Sequence, residues 1–354
     1  MMSFRPLGPS LGLLLTLLAF PGVASGQEGV AATRVVRVAD LPGGDSVHPS
    51  LAVAENGDLV AVFSLGGRSA RDMRISRSLD AGVSWSSPAP LEVFSDPSAY
   101  VYPGALTRLE DKRLLLSWSA PPGKESGRVP WYSTSSDAGK TWKKPERILP
   151  EKPSVHCTHR YPMLELSSRE WLFALYDRTV VYDPKSGSVA PFGDGRNHGM
   201  VPIVRTPKGT LISGSSGRRY ELGLRSSDGG KTWNPLRAFP YHELGFPHDL
   251  TVLDDGMVVL TAIIYDPMPA DEVTLERGFE LVVSRDDGLT WDHDHAVVIF
   301  EPGRRIEGPR GGWPRTVQVD RESLGTLFFN LDKRQAGGPG LFFIRTSLSR
   351  LKAP

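Results

Sequence analysis

Apolar runs that alternate with polar positions recur along the chain, each closed by a short turn and answered by a second apolar run. A proline preceded by an aromatic, His or Val residue opens each one: HPSLAV from 48, YPGALT from 102, YPMLEL from 161, VPIVRT from 201, FPHDLT from 246 and WPRTVQ from 313. The turns read ENGD, LEDK, SSRE, PKG, DDG and RESLG, and the second runs LVAVF, LLLSW, WLFALY, TLISG, MVVLTAII and TLFFNL. Period-two alternation broken by Gly, Asp and Asn predicts β-hairpins, and their spacing predicts six sheet units of propeller-blade size.

A second repeat marks the same units. SLDAGVSW from Ser78, SSDAGKTW from Ser135, SSDGGKTW from Ser226 and SRDDGLTW from Ser284 all fit Ser-x-Asp-x-Gly-x-(Ser/Thr)-Trp. The third unit carries YDPKSGS (182–188) instead, and the sixth runs out at the C-terminus. Asp80, Asp137, Asp228 and Asp286 are expected to accept backbone N–H bonds within their turns, with Gly supplying a positive φ and Trp lying back over the sheet. Four equivalent copies around a ring cannot all face one ligand, so these aspartates are read as structural. The strand-like TRVVRVADL (33–41) is expected to pair with the last unit and close the ring. The expected fold is therefore all-β, a six-bladed β-propeller of four-stranded antiparallel blades over residues 33–350. A β-sandwich has similar strand content but leaves the repeat unexplained.

Composition narrows the setting. Residues 1–26 have the layout of a secretory signal peptide: Arg5, the apolar LGLLLTLLAF (11–20) and small residues up to Gly26. The mature chain is then expected to be secreted or periplasmic, with no membrane span after cleavage. With 41 Lys plus Arg against 40 Asp plus Glu, no bulk charge steers it to nucleic acid. The single cysteine rules out an internal disulfide framework. His156, Cys157 and His159 lie close together, but no fourth ligand accompanies them, so no metal and no cofactor are expected.

The four Ser-x-Asp turns resemble the Asp-boxes (BNR repeats) of the sialidase (neuraminidase) superfamily, over about 33–350. That resemblance implies a site at the mouth of the central channel. It also implies an arginine at the blade-one opening and a nucleophilic tyrosine at the blade-six opening. Here Val47-His48-Pro49 and Trp313-Pro314-Arg315 occupy those places, so the usual arginine and tyrosine are missing. The resemblance places an acid/base aspartate between the second strand of blade one and its box, where GGRSARD carries Asp72 and Arg68.

Other chemistry gathers at the openings. Arg160 precedes Tyr161-Pro162, His198 precedes Val201-Pro202, and Pro247 is followed by His248 and Asp249. The resemblance makes a carbohydrate-active glycoside hydrolase the favoured expectation, and glycosidic cleavage usually employs two carboxyl groups. Asp72 is the candidate acid and Asp249 the second carboxylate. His48, Arg68, Tyr102, Arg160, His198, His248 and Arg315 are the candidate substrate-binding residues. The ligand is expected to be a glycan or small carbohydrate. The rival expectation is a non-catalytic propeller that binds a glycan or protein through the same mouth. Oligomeric state is not legible.

Overall fold

The computed structural model describes residues 34–42, 48–96, 98–121, 127–149, 159–176, 178–194, 199, 201–214, 223–236, 249–265, 275–300, 306–307, 311–331 and 338–352. Residues 1–26, which carry the expected signal peptide, lie outside them, as do Val47, His156, Cys157, His198 and His248. The chain folds as a six-bladed β-propeller. Blade one consists of Ser50–Val53, Leu59–Ser64, Met73–Ser78 and Ala89–Pro90, from the axis outwards. Tyr102–Arg108, Leu114–Ala120, Val129–Ser135 and Glu146–Arg147 make blade two. Blades three and four start at Leu164–Ser167 and Ile203–Arg205, and blade five at Asp249–Val252. Blade six has Gly311–Asp320 innermost, then Ser323–Asn330 and Gly340–Ser347, and its outermost strand is Val35–Asp40 from the other end of the chain.

Neighbouring strands within each blade are antiparallel, and Val36 faces Phe343 in the closing pair. The alternating apolar positions of the hairpins point to both faces of each sheet, and every blade is therefore covered on two sides. Six apolar clusters result, one for each junction between consecutive blades. Small polar residues tie the inner strands together. Leu106 N donates to Ser50 Oγ at 2.8 Å, and Thr251 Oγ1 donates to Thr316 O at 2.8 Å. His159 does the same between blades two and three, with Nε2 2.8 Å from Ser117 Oγ.

The four Ser-x-Asp turns share one geometry. In blade one, Ser78 Oγ donates to Asp80 Oδ1 at 2.8 Å while accepting from Gly82 N at 2.7 Å. Ser84 N and Oγ then reach the two carboxylate oxygens at 2.9 and 2.6 Å. These donors hold Asp80 at a pKa of about 2, the Ser84 hydroxyl contributing most, and Thr232 does the same for Asp228. Gly82 (φ 90°) shows why glycine is required: a Cβ there would overlap the Phe343 ring of blade six. Each turn is thus a seat against the preceding blade. Arginines reach across two of these seats, Arg77 Nε to Ala138 O at 3.2 Å and Arg225 Nε to Asp287 O at 2.9 Å.

Two expectations need correcting. The sixth hairpin turn is shorter than RESLG, because Ser323–Asn330 is already strand. Gly325 belongs to that strand, where a Cβ would press on the Phe343 ring at 2.5 Å. Of the four turn tryptophans, Trp233 and Trp291 are buried at 7% and 8% exposure, whereas Trp85 and Trp142 are half-buried.

Trp233 also donates from Nε1 to Gly230 O at 3.0 Å. Trp233→Ala is expected to cost ~3–5 kcal/mol by urea denaturation, the range for truncating a buried aromatic, with a smaller loss for Trp142→Ala. Equal losses for the two variants would contradict this reading of the turns. His159 generates a pH prediction. Burial lowers its pKa to about 4, against ~6.5 when unfolded. The unfolded chain therefore binds the extra proton first, and stability is lost as pH falls from about 6.5 towards 4. The contribution is roughly 3 kcal/mol. In His159→Gln this part of the acid loss is expected to vanish, measured as the difference in unfolding free energy between pH 7 and pH 4.5.

Candidate functional site

The inner strands all begin at one end of the channel, and the residues at their starts form two layers. Proline at each opening favours extended backbone in the residue before it and removes one donor from the strand start. Aromatic and cationic side chains are thereby delivered to the axis at comparable heights.

The upper layer joins blades one, two, three and six. His48 stacks on Tyr102 with centroids 5.5 Å apart and meets the edge of Trp313 at 4.4 Å. The Arg160 guanidinium lies 4.1 Å from the Trp313 ring, and its Nε donates to the Tyr102 hydroxyl. The Arg68 guanidinium stands 5.2 Å from the Tyr102 centroid, and Nη1 donates to Tyr100 Oη at 3.0 Å. His48 is 4% exposed, and neither ring nitrogen has a hydrogen-bond partner among the described residues. Burial first, then Arg160, Arg68 and Arg315, holds its pKa well below the usual value, so the imidazole is neutral.

Trp313 sits in a left-handed conformation (φ 51°) within a bulge opposite Phe329 and Leu327. A bulky residue in that region costs of order 1–3 kcal/mol and persists where its surroundings hold it. Its neighbours here are Arg160 and His48.

The lower layer is a floor. Arg315, 3% exposed, reaches from blade six to blade three, donating from Nη2 to Arg160 O at 2.9 Å and lying 4.1 Å from the Tyr161 ring. Blades three and six face each other across the ring, so this side chain crosses the axis. Asp249 lies beside it, 4% exposed, with Oδ1 3.5 Å from Arg315 Nη1 and Oδ2 accepting from Thr316 N at 2.8 Å. Burial pushes the Asp249 carboxyl up, and Arg315 and the Thr316 N–H offset that only in part. Burial likewise raises the Tyr161 hydroxyl. Below the floor a cavity of about 400 Å³ runs down the channel, lined by Leu51, Leu106, Met163, Ile203 and Leu250.

Asp72 comes from the loop expected to carry it. Ala70–Asp72 forms a single 3₁₀ turn capped by Ser69, whose Oγ accepts from Arg71 N. The loop is bonded to the lead-in of blade two, Ala70 N to Ala99 O at 3.0 Å and Val101 N to Arg68 O at 2.5 Å. Asp72 is half-buried, and a Cβ on Gly67 would meet its Oδ2 at 3.0 Å. Arg68 turns to the tyrosines instead of pairing with it.

The structure thus brings His48, Arg68, Tyr102, Arg160 and Arg315 together and sets Asp249 in the floor. Tyr100, Arg128 and Tyr161 were not singled out from sequence. The alternation Tyr100-Val101-Tyr102 ahead of a blade opening is the signal that marks the first of them. Among the described residues no cluster of three or more His, Cys, Asp or Glu is placed to hold a metal ion.

No protein-family model and no curated protein matches the chain. Solved structures do. A protein of unknown function from Dyadobacter fermentans superposes with a TM-score of 0.62 at 17% identity, covering 89% of this chain and 99% of that one. The NanB sialidase of Streptococcus pneumoniae, as its K499G mutant, gives 0.60 at 13% identity, over 90% of this chain and 71% of that one. The α-L-arabinanase of Penicillium chrysogenum, complexed with arabinobiose, gives 0.57 at 13% identity, over 89% and 98%. At such identities the likeness is one of fold, and the fold is that of the sialidase-like, glycoside-hydrolase-like six-bladed propellers.

Proposed function

We propose that the protein is exported and acts on a glycan at the propeller mouth, as a glycoside hydrolase with Asp72 as proton donor. The observation that carries this reading is the loop that bears Asp72 and Arg68, bonded to the Ala99–Val101 lead-in and set by Arg68 against Tyr102, beside Arg160 and Trp313. Aromatic faces take the C–H face of a sugar, and guanidinium groups take its hydroxyl or carboxylate oxygens. Asp72 makes no ion pair among the described residues, which leaves its carboxyl for a leaving glycosidic oxygen.

Asp249 supports a different role from Asp72. Both its oxygens are engaged by blade six, so it holds Arg315, and Arg315 in turn holds the Arg160 backbone. The same observation favours a second reading, a propeller that binds a glycan without cleaving it, because hydrolysis commonly uses two carboxyl groups across one substrate.

A panel of chromogenic glycosides tests the first reading. Asp72→Asn is expected to lower kcat/KM by about 10²–10⁴-fold while Tm stays put. A fluorogenic sialic acid glycoside is expected to be turned over little or not at all, given Trp313 where the family's tyrosine belongs. Turnover that survives Asp72→Asn removes Asp72 from the chemistry, and absence of turnover with retained saccharide binding favours the binding propeller. For Asp249→Asn, Arg315 is left buried without its counter-charge, and a stability loss of about 3–5 kcal/mol is expected. Unchanged stability with lost turnover would return Asp249 to a catalytic role.

A further inference from the structure

Outside the packed upper layer, the mouth carries a ledge that the reading above leaves unused. Tyr100 is 42% exposed, whereas Tyr102, two residues on, is 4% exposed. The Arg128 guanidinium lies 4.5 Å from the Tyr100 centroid and 5.8 Å from that of Tyr102. Arg128 has no carboxylate partner among the described residues. Its charge is positioned by aromatic faces alone.

The ledge is also held in place before anything binds. Tyr100 forms an isolated bridge with Ser69, and its hydroxyl accepts from Arg68. The flanking Ala99 and Val101 are bonded to the loop that carries Asp72. Groups already ordered lose little entropy on binding, which is the advantage of preorganisation. An exposed ring beside an uncompensated guanidinium matches a ligand with a flat C–H face and an anionic group at its edge. A neutral sugar offers only the first, and an inorganic anion only the second.

We propose that Tyr100 and Arg128 form a second saccharide subsite, adjoining the one at Tyr102, Arg160 and Trp313, for an acidic sugar unit. This rests on the glycan reading of the mouth and narrows it. The ring of the sugar lies on Tyr100, and its carboxylate or sulfate ester meets Arg128. Residues two apart in extended chain lie about 6.6 Å apart on one face, so the exposed Tyr100 stands about one sugar unit out from the position of the buried Tyr102, where half-buried Arg160 and Trp313 face the mouth. The ligand is then an acidic oligosaccharide, not a lone terminal sugar.

Equilibrium titration of the mature chain, followed by calorimetry, tests this with galacturonate, digalacturonate, neutral galactobiose and a sulfated galactobiose. An acidic disaccharide is expected to bind at least about tenfold more tightly than neutral galactobiose, through a charge-assisted bond to Arg128. That preference is expected to collapse to about twofold or less in Arg128→Gln and in Tyr100→Ala, and to shrink as salt is raised. The carboxylate and sulfate arms identify which acidic group the ledge takes. Galactobiose binding as tightly as both acidic disaccharides overturns the subsite, as does a preference that survives Arg128→Gln. Failure of the hydrolase reading looks different: acidic disaccharides bind with the Arg128-dependent preference, yet no glycoside is cleaved. Absence of binding by every saccharide overturns the subsite and the glycan reading together.

Discussion

The ring depends on one pairing made between the two ends of the sequence. Val35–Asp40 completes the blade formed by Gly311–Ser347, and only that bond row makes six wedge-shaped sheets a closed circle. Without it, blade six would present Gly340–Ser347 as an open edge, and the junction cluster of Val38, Leu51, Phe63 and Phe343 would lose one wall. Closure also sets the site, because the inner strands converge on one axis only when all six junctions are filled. The Ser-x-Asp turns act one level below this, each holding an outer hairpin at the height where its glycine meets the neighbouring blade. Geometry at the mouth is thus inherited from packing at the rim.

Charge at the mouth is arranged on the same economy. The chain as a whole is close to neutral, with a formal charge of +1. Locally, Arg68, Arg128 and Arg160 gather around two tyrosines and a tryptophan. Aromatic faces hold a guanidinium in a fixed plane while leaving its N–H groups to other acceptors, which a carboxylate partner would occupy. Arg315 is the contrasting case, since burial at 3% exposure requires the counter-charge of Asp249. Recognition and support have been divided between two kinds of arginine neighbour.

Much of the scaffold was legible because its signals are local. The hairpins, the four Ser-x-Asp turns and the closing strand each lie within about twenty residues, and period-two alternation reports them directly. The site was legible only by position: the openings placed His48, Tyr102, Arg160 and Arg315 at the mouth, but not what each touches. Arg315 meets Arg160 across a separation of 155 residues, and no pattern along one chain encodes such a meeting. For the same reason His159, which the sequence sets beside His156 and Cys157, is found as a tie between blades two and three. Asp249 looked open from its place at a strand start, and its burial comes from a neighbouring blade whose backbone supplies the bond. Tyr100 and Arg128 were missed because a lone tyrosine and arginine carry no motif until a fold sets them face to face.

Arg315 has a consequence for traffic. A side chain that crosses the axis stands between a vestibule above and a cavity below, where Leu51, Leu106 and Leu250 give way to Arg108, Arg205, Asp254 and Gln318. The propeller is therefore not a tube. On the glycan reading, a ligand would enter and leave the vestibule past the same rim, with Tyr100, Arg128 and the Asp72 loop beside both steps.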